Sequence, residues 1–182
     1  TGHAVQVAMA ALDGFDGDVL VCYGDMPLVR SETYAELRAA RGDHAAAILT
    51  AYPDDVTGLA RILRDRTGGL LAVREERDCS DAEREIDEIN VGIYCFEISK
   101  LRDALEHLSP HNAQGELYLT DTVANLLQAG VSVESVVCMD PDEALGVNSL
   151  VQLATARAIT QARILEDHML SGVLIEDPAT TY

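Results

Sequence analysis

Apolar residues recur along the chain in two rhythms. Mainly apolar runs at 19–22, 45–52 and 89–96 have the length of buried strands, and 131–139 reads as a last strand. Between them, apolar residues return every three or four positions, the spacing of a helix face. Helices are therefore expected over 3–12, closed by Gly14 and Gly17, and from Ser31 with Tyr34, Leu37 and Ala40 as the stripe, ending near Gly42. Others are expected from Ser99 with Leu101, Leu105 and Leu108, ending before Pro110, and through Val123, Leu126 and Leu127 to Gly130. Ser149 with Gln152 reads as a capping box for a long helix to about Leu170. Short alternating pieces at 61–63 and 70–73, around Gly68 and Gly69, predict a hairpin at the sheet's edge. The charged segment 74–88 reads as a loop or short helix, and 172–175 as a fresh strand. Strands and helices alternating over short links predict an α/β sandwich with a mostly parallel sheet, helices on both faces, and a final helix leaving as an arm.

A few polar positions interrupt these rhythms. The run 19–23 meets Gly24, Asp25 and Pro27, as a buried parallel strand does at the lip of a sheet, where ligands sit. A carboxylate there suits Mg²⁺ with a nucleotide phosphate, or equally caps the turn. Asn90 and Gly92 lie inside a strand pattern that disfavours both; a buried amide needs partners a ligand hydroxyl could supply, and a strand glycine marks close backbone approach. Asn148, in the turn Gly146-Val147-Asn148, serves as a helix cap as readily as a ligand, and Glu75 alone would be a surface acid.

Composition narrows the classes. The 182 residues are 48% apolar, enough for one core, and the net charge of −18 argues against nucleic acid or an anionic membrane as partner. No run reaches the length of a membrane span, and no basic-then-apolar leader is present. Cys22, Cys79, Cys95 and Cys138 lack metal or redox spacing and read as small hydrophobes in a reducing cytoplasm; the five histidines are scattered. The chain starts on Thr1 without methionine and enters a helical pattern at once, so it reads as the inside of a longer protein.

Several stretches together resemble a known family: Thr1-Gly2-His3-Ala4, Tyr23-Gly24-Asp25-Met26-Pro27, Glu88-Ile89-Asn90-Val91-Gly92-Ile93, the segment 112–121 from Asn112 to Asp121, Gly146-Val147-Asn148, and Asp177-Pro178-Ala179-Thr180-Thr181-Tyr182. In this order they resemble the uridyltransferase domain of the bifunctional bacterial N-acetylglucosamine-1-phosphate uridyltransferase/glucosamine-1-phosphate acetyltransferases. The resemblance implies a Rossmann-like sugar-nucleotide transferase sandwich over 1–148, a linker helix over 149–171, and the first turn of a left-handed parallel β-helix domain over 172–182. It implies transfer of uridylyl from UTP to N-acetylglucosamine 1-phosphate, giving UDP-N-acetylglucosamine and pyrophosphate for the synthesis of cell-wall precursors in the cytoplasm, and a homotrimer built through the β-helix. By the same resemblance Asp25 and Asn148 hold Mg²⁺, Thr1 meets the uracil and ribose, and Tyr23, Gly24, Ala60, Glu75, Asn90, Tyr118 and Thr120 line the substrate site. The family's Gly-Tyr-Gly-Arg reads Gly58-Leu59-Ala60-Arg61 here, which loses a glycine's backbone freedom. Its glycine-rich, cationic first loop would precede Thr1, so the 182 residues alone are expected to be inactive or nearly so. The rival readings are a transferase for another sugar and a noncatalytic regulatory domain of the same fold.

Overall fold

The four longer apolar runs become strands and each helical stripe a helix, in a computed structural model that describes residues 1–182. In chain order they are α1 (Gly2–Ala8), β1 (Asp18–Val21), α2 (Ser31–Arg41), β2 (Ala46–Ala51), β3 (Arg61–Arg64), β4 (Leu70–Arg74), α3 (Asp81–Arg84), β5 (Ile89–Glu97), α4 (Ile98–Glu106), α5 (Asp121–Gln128), β6 (Val133–Val137) and α6 (Leu150–Leu170). The expected hairpin forms from β3 and β4 and lies at the sheet's edge.

The sheet is built on β5, which pairs antiparallel with β2 along one side. On its other side β1 pairs with residues 94–97, while β3 meets it only at Ile89. The pairing of β2 with β6 is the one parallel contact, so the sheet is mixed and mainly antiparallel, not mostly parallel. The apolar pattern could not reveal this, because a strand covered on both faces reads as a continuous apolar run whichever way its neighbours point. β1 departs from expectation twice: it runs antiparallel to β5, and its Leu20 is 42% exposed.

Alternation along the strands sorts side chains onto two faces, each covered by helices. Ala46, Ile48, Tyr94 and Phe96 pack with Leu101, Ala104 and Leu105 of α4 and Val123 and Leu126 of α5. Ala47, Leu49, Val91, Ile93 and Cys95 pack with Leu37 of α2. The sandwich with helices on both faces is thus present.

Tertiary contacts displace two expected caps. Ser31 is the first residue of α2, not its cap; Arg30 holds that position, and the buried carboxylate of Glu143 accepts from the Arg30 N–H (2.9 Å) and the Thr33 hydroxyl (2.6 Å). The cap of α4 is Glu97, whose carboxylate accepts from the N–H groups of Ser99 and Lys100, with Ser99 inside the helix. Ser149 does cap α6, while the Gln152 side chain accepts from Asn148 N–H, one residue earlier than a capping box requires. Residues 172–175 form no strand; the N–H groups of Gly172 and Val173 instead close the end of α6 on the carbonyls of Met169 and His168, both at 3.0 Å. Most of α6 is exposed, and the Arg163 guanidinium holds it to the Leu28 carbonyl (2.7 Å) and the Asp140 carboxylate (3.0 Å). No helix is long and apolar enough to cross a membrane.

Candidate active site

The sheet forks at β5. Val21, at the end of β1, lies opposite Tyr94, while Arg61, at the start of β3, lies opposite Ile89, leaving residues 91–93 without a strand on that side. Along the β2 side the register jumps: Ile48 faces Tyr94 but Thr50 faces Asn90, so β5 takes four steps where β2 takes two. Such a bulge bends the strand and re-aims its side chains. Gly92 occupies it with φ +88°, and a Cβ there would lie 2.4 Å from the Tyr23 ring. Close approach to Gly92 is therefore made by the aromatic residue that follows β1.

The bulge brings Asn90 and Tyr94 together, and the Asn90 amide donates to the Tyr94 hydroxyl at 2.7 Å. Tyr23 lies with its hydroxyl beside those of Thr1 and Tyr94 and within the fields of Glu75 and Asp25; burial foremost pushes its pKa up. Thr1 is pinned by its hydroxyl oxygen, which accepts from Leu119 N–H at 3.0 Å. Across the fork the Thr120 hydroxyl donates to Glu75 Oε1 at 2.9 Å, and Ala60 accepts the Asn90 N–H at 2.8 Å. Thr1, Tyr23, Ala60, Glu75, Asn90 and Thr120, spread over 120 residues, therefore surround one fork. Tyr118 borders it differently: it is 5% exposed and its buried hydroxyl has no hydrogen-bond partner.

Asp25 and Asn148 stand at the rim, both exposed. Their segments are joined where Val147 N–H donates to the Asp25 carbonyl at 2.8 Å, so the turn after β1 and the root of α6 are neighbours. No side chain or backbone group engages the Asp25 carboxylate, and no cluster of three His, Cys, Asp or Glu side chains competes for a metal. One uncommitted carboxylate and one amide oxygen are hard donors that suit a Mg²⁺ retaining water and phosphate ligands. The two largest cavities, about 720 and 650 Å³, line α6 and the C-terminal turn instead, and include none of these residues.

Electrostatics mark Glu75. Burial chiefly raises its pKa above the ordinary 4.5, the Thr120 hydrogen bond opposes this, and the charge of Asp121 adds to it. Folded Glu75 thus keeps its proton to higher pH than the unfolded chain does. Across that interval the native state binds more protons, so its stability falls as pH rises from 4.5 through the raised value. Glu75→Gln retains an acceptor for Thr120 and removes the titration. Urea unfolding at about pH 4 and about pH 8 is expected to show the variant gaining on wild type only at the higher pH.

Tyr94 is not legible in the sequence as a neighbour of the site: it lies in an apolar run and reads as core, although its spacing of four from Asn90 puts both on one strand face.

No protein-family model matches the chain. Among curated proteins it is 46% identical over 184 aligned residues to the bifunctional protein GlmU of Pelotomaculum thermopropionicum, covering 100% of the chain and 40% of that protein. It is likewise 46% identical to the bifunctional protein GlmU of Corynebacterium efficiens, covering 100% of the chain and 38% of that protein. Among solved structures, a nucleoside-diphosphate-sugar pyrophosphorylase from Vibrio cholerae superposes with a TM-score of 0.61 at 14% identity, over 86% of this chain and 64% of that one. At that identity the likeness establishes the fold alone, an α/β sandwich that the two chains share. The chain spans about two fifths of the curated relatives' length, and over all of its residues it is a relative of the N-terminal part of the bifunctional protein GlmU.

Proposed function

We propose that the chain is the greater part of a uridyltransferase domain that joins UTP to N-acetylglucosamine 1-phosphate, forming UDP-N-acetylglucosamine and pyrophosphate. The observation that carries this reading is the match to GlmU proteins along the whole chain. The fork supports it, because its uncommitted groups suit a sugar. The Thr120 hydroxyl donates its hydrogen bond to Glu75 Oε1, so its oxygen can still accept, and Glu75 Oε2 is free to accept from a sugar hydroxyl. Asn90 has given one amide hydrogen to Tyr94 and its carbonyl to Gly92 N–H, leaving its second N–H to donate.

The reaction needs no covalent nucleophile. An oxygen of the sugar 1-phosphate attacks the α-phosphorus of UTP in line and pyrophosphate leaves, so positioning and charge neutralisation are what a protein supplies. Glu75, Asn90 and Thr120 would orient the sugar, Tyr23 and Gly24 would border the phosphates, and Thr1 would meet the nucleoside. Asp25 and Asn148 would hold Mg²⁺, whose charge neutralises the phosphate oxygens. We further assign 1–148 to the transferase domain, 149–171 to a linker, and 172–182 to the start of a β-helix domain through which the whole protein trimerises in the cytoplasm.

The test is a substrate panel on the whole gene product, with Mg²⁺, UTP and the 1-phosphates of N-acetylglucosamine, N-acetylgalactosamine and glucose. UDP-N-acetylglucosamine formation that requires Mg²⁺ and exceeds the other sugars by at least about tenfold is expected. Preference for another sugar would make it a transferase of different specificity. Binding of UDP-N-acetylglucosamine without turnover would make it a regulatory module.

A further inference from the structure

The segment 112–118 is a loop tied by hydrogen bonds both within itself and to its surroundings. Asn112 builds it from within: its Oδ1 accepts from the N–H groups of Gln114 and Glu116, both at 3.2 Å, and its amide donates to the Glu116 carbonyl at 2.6 Å. From outside, Gly2 N–H donates to its Leu117 carbonyl at 2.7 Å, and one side chain docks its other end. Asp78, in the single 3₁₀ turn after β4, accepts the Ala113 N–H through Oδ1 at 2.9 Å. The other Asp78 oxygen is buried and has no partner. Tyr118, 95% buried, brings its hydroxyl beside Asp78 and Gln114, and it too is unpartnered. A buried carboxylate oxygen and a buried hydroxyl thus stand near one another, and neither meets a partner in good hydrogen-bond geometry, so each carries a desolvation cost. Glu75 and Thr120, which border the fork, flank this pair in sequence at three and two residues' distance.

We propose that Asp78 is a positioning residue for the sugar end of the site, anchoring the 112–118 loop and receiving the Tyr118 hydroxyl as that loop settles over bound sugar phosphate. The inference rests on the uridyltransferase reading above. Asp78 meets the loop at Ala113, while the end nearer Thr1 is held separately where Gly2 N–H donates to the Leu117 carbonyl, so the effect of Asp78 falls on the sugar more than on the nucleotide.

The experiment measures both Michaelis constants in the whole gene product for wild type, Asp78→Ala, Asp78→Asn, Tyr118→Phe and the Asp78→Ala/Tyr118→Phe pair. Asp78→Ala is expected to raise KM for N-acetylglucosamine 1-phosphate about tenfold, with KM for UTP within about twofold of wild type. Asp78→Asn keeps an acceptor for Ala113 N–H and recovers most of that loss. Tyr118→Phe adds little once Asp78 is gone, because the two residues act as one unit. Equal rises in both constants, or a lower Tm with both unchanged, would reduce Asp78 to a structural residue and overturn the proposal. If the wild type turns over no sugar phosphate, the reading of the function fails instead, and the two failures are separate results.

Discussion

Asp25→Ala is expected to lower uridylyl transfer by the whole gene product at least about a hundredfold while leaving its melting temperature unchanged. The separation follows from where Asp25 sits. It is exposed and its carboxylate makes no contact inside the chain, so removing it exposes no cavity and strands no partner. Its backbone carbonyl, which receives Val147 N–H, survives the substitution and still holds the turn against the root of α6. What disappears is the carboxylate that would hold Mg²⁺ at the rim of the fork, where the charge of the metal would neutralise the phosphates. Asp25→Asn keeps the shape and loses the charge, so it is expected to fall nearly as far. Initial rates across a Mg²⁺ titration, with thermal melts alongside, check both variants. Activity within about threefold of wild type would remove Asp25 from the chemistry and leave it as a turn residue.

The second large effect is on stability. Gly92→Ala is expected to destabilise the chain by about 2–5 kcal/mol, combining a residue forced into left-handed backbone with overpacking of a formed core. The backbone there has φ +88°, and the new methyl would lie 2.4 Å from Cε2 and 2.8 Å from Cδ2 of Tyr23. Neither β5, buried between two layers, nor the Tyr23 ring can yield freely. Tyr23→Ala in the Gly92→Ala background clears the clash and leaves the backbone strain, so the double variant should recover part of the loss but not all. Urea unfolding of the two singles and the double closes that cycle. A cost under about 1 kcal/mol for Gly92→Ala would mean that the bulge can flatten, and the account of the fork would fail with it.

Both predictions fall on positions the sequence had already singled out, for different reasons. Gly92 stood out because glycine weakens a strand unless something must come close, and that rule holds without knowing what comes. The partner, Tyr23, could not be named, since it lies 69 positions away and reaches the bulge only because β1 ends opposite Tyr94. Asp25 and Asn148 were paired through family resemblance alone; the fold adds that their segments share a hydrogen bond. Caps were misplaced for a related reason. A serine before an apolar stripe is a local signal, but Glu143 reaches α2 from 113 residues beyond Arg30 and takes over the role.

What the sequence determined by itself are the properties that depend on near neighbours: the order of the six strands and the helices between them as far as α6, the two covered faces, the edge hairpin, and the places where a polar residue or glycine breaks a rhythm. Local preferences and burial act within a few residues, so they leave their mark in the order of the chain. The tertiary structure alone decided the direction in which strands run, the bulge that turns Asn90 toward Tyr94, and the docking of the 112–118 loop on Asp78. These rest on hydrogen bonds between distant segments, and a backbone N–H carries no sequence code for the carbonyl it will meet.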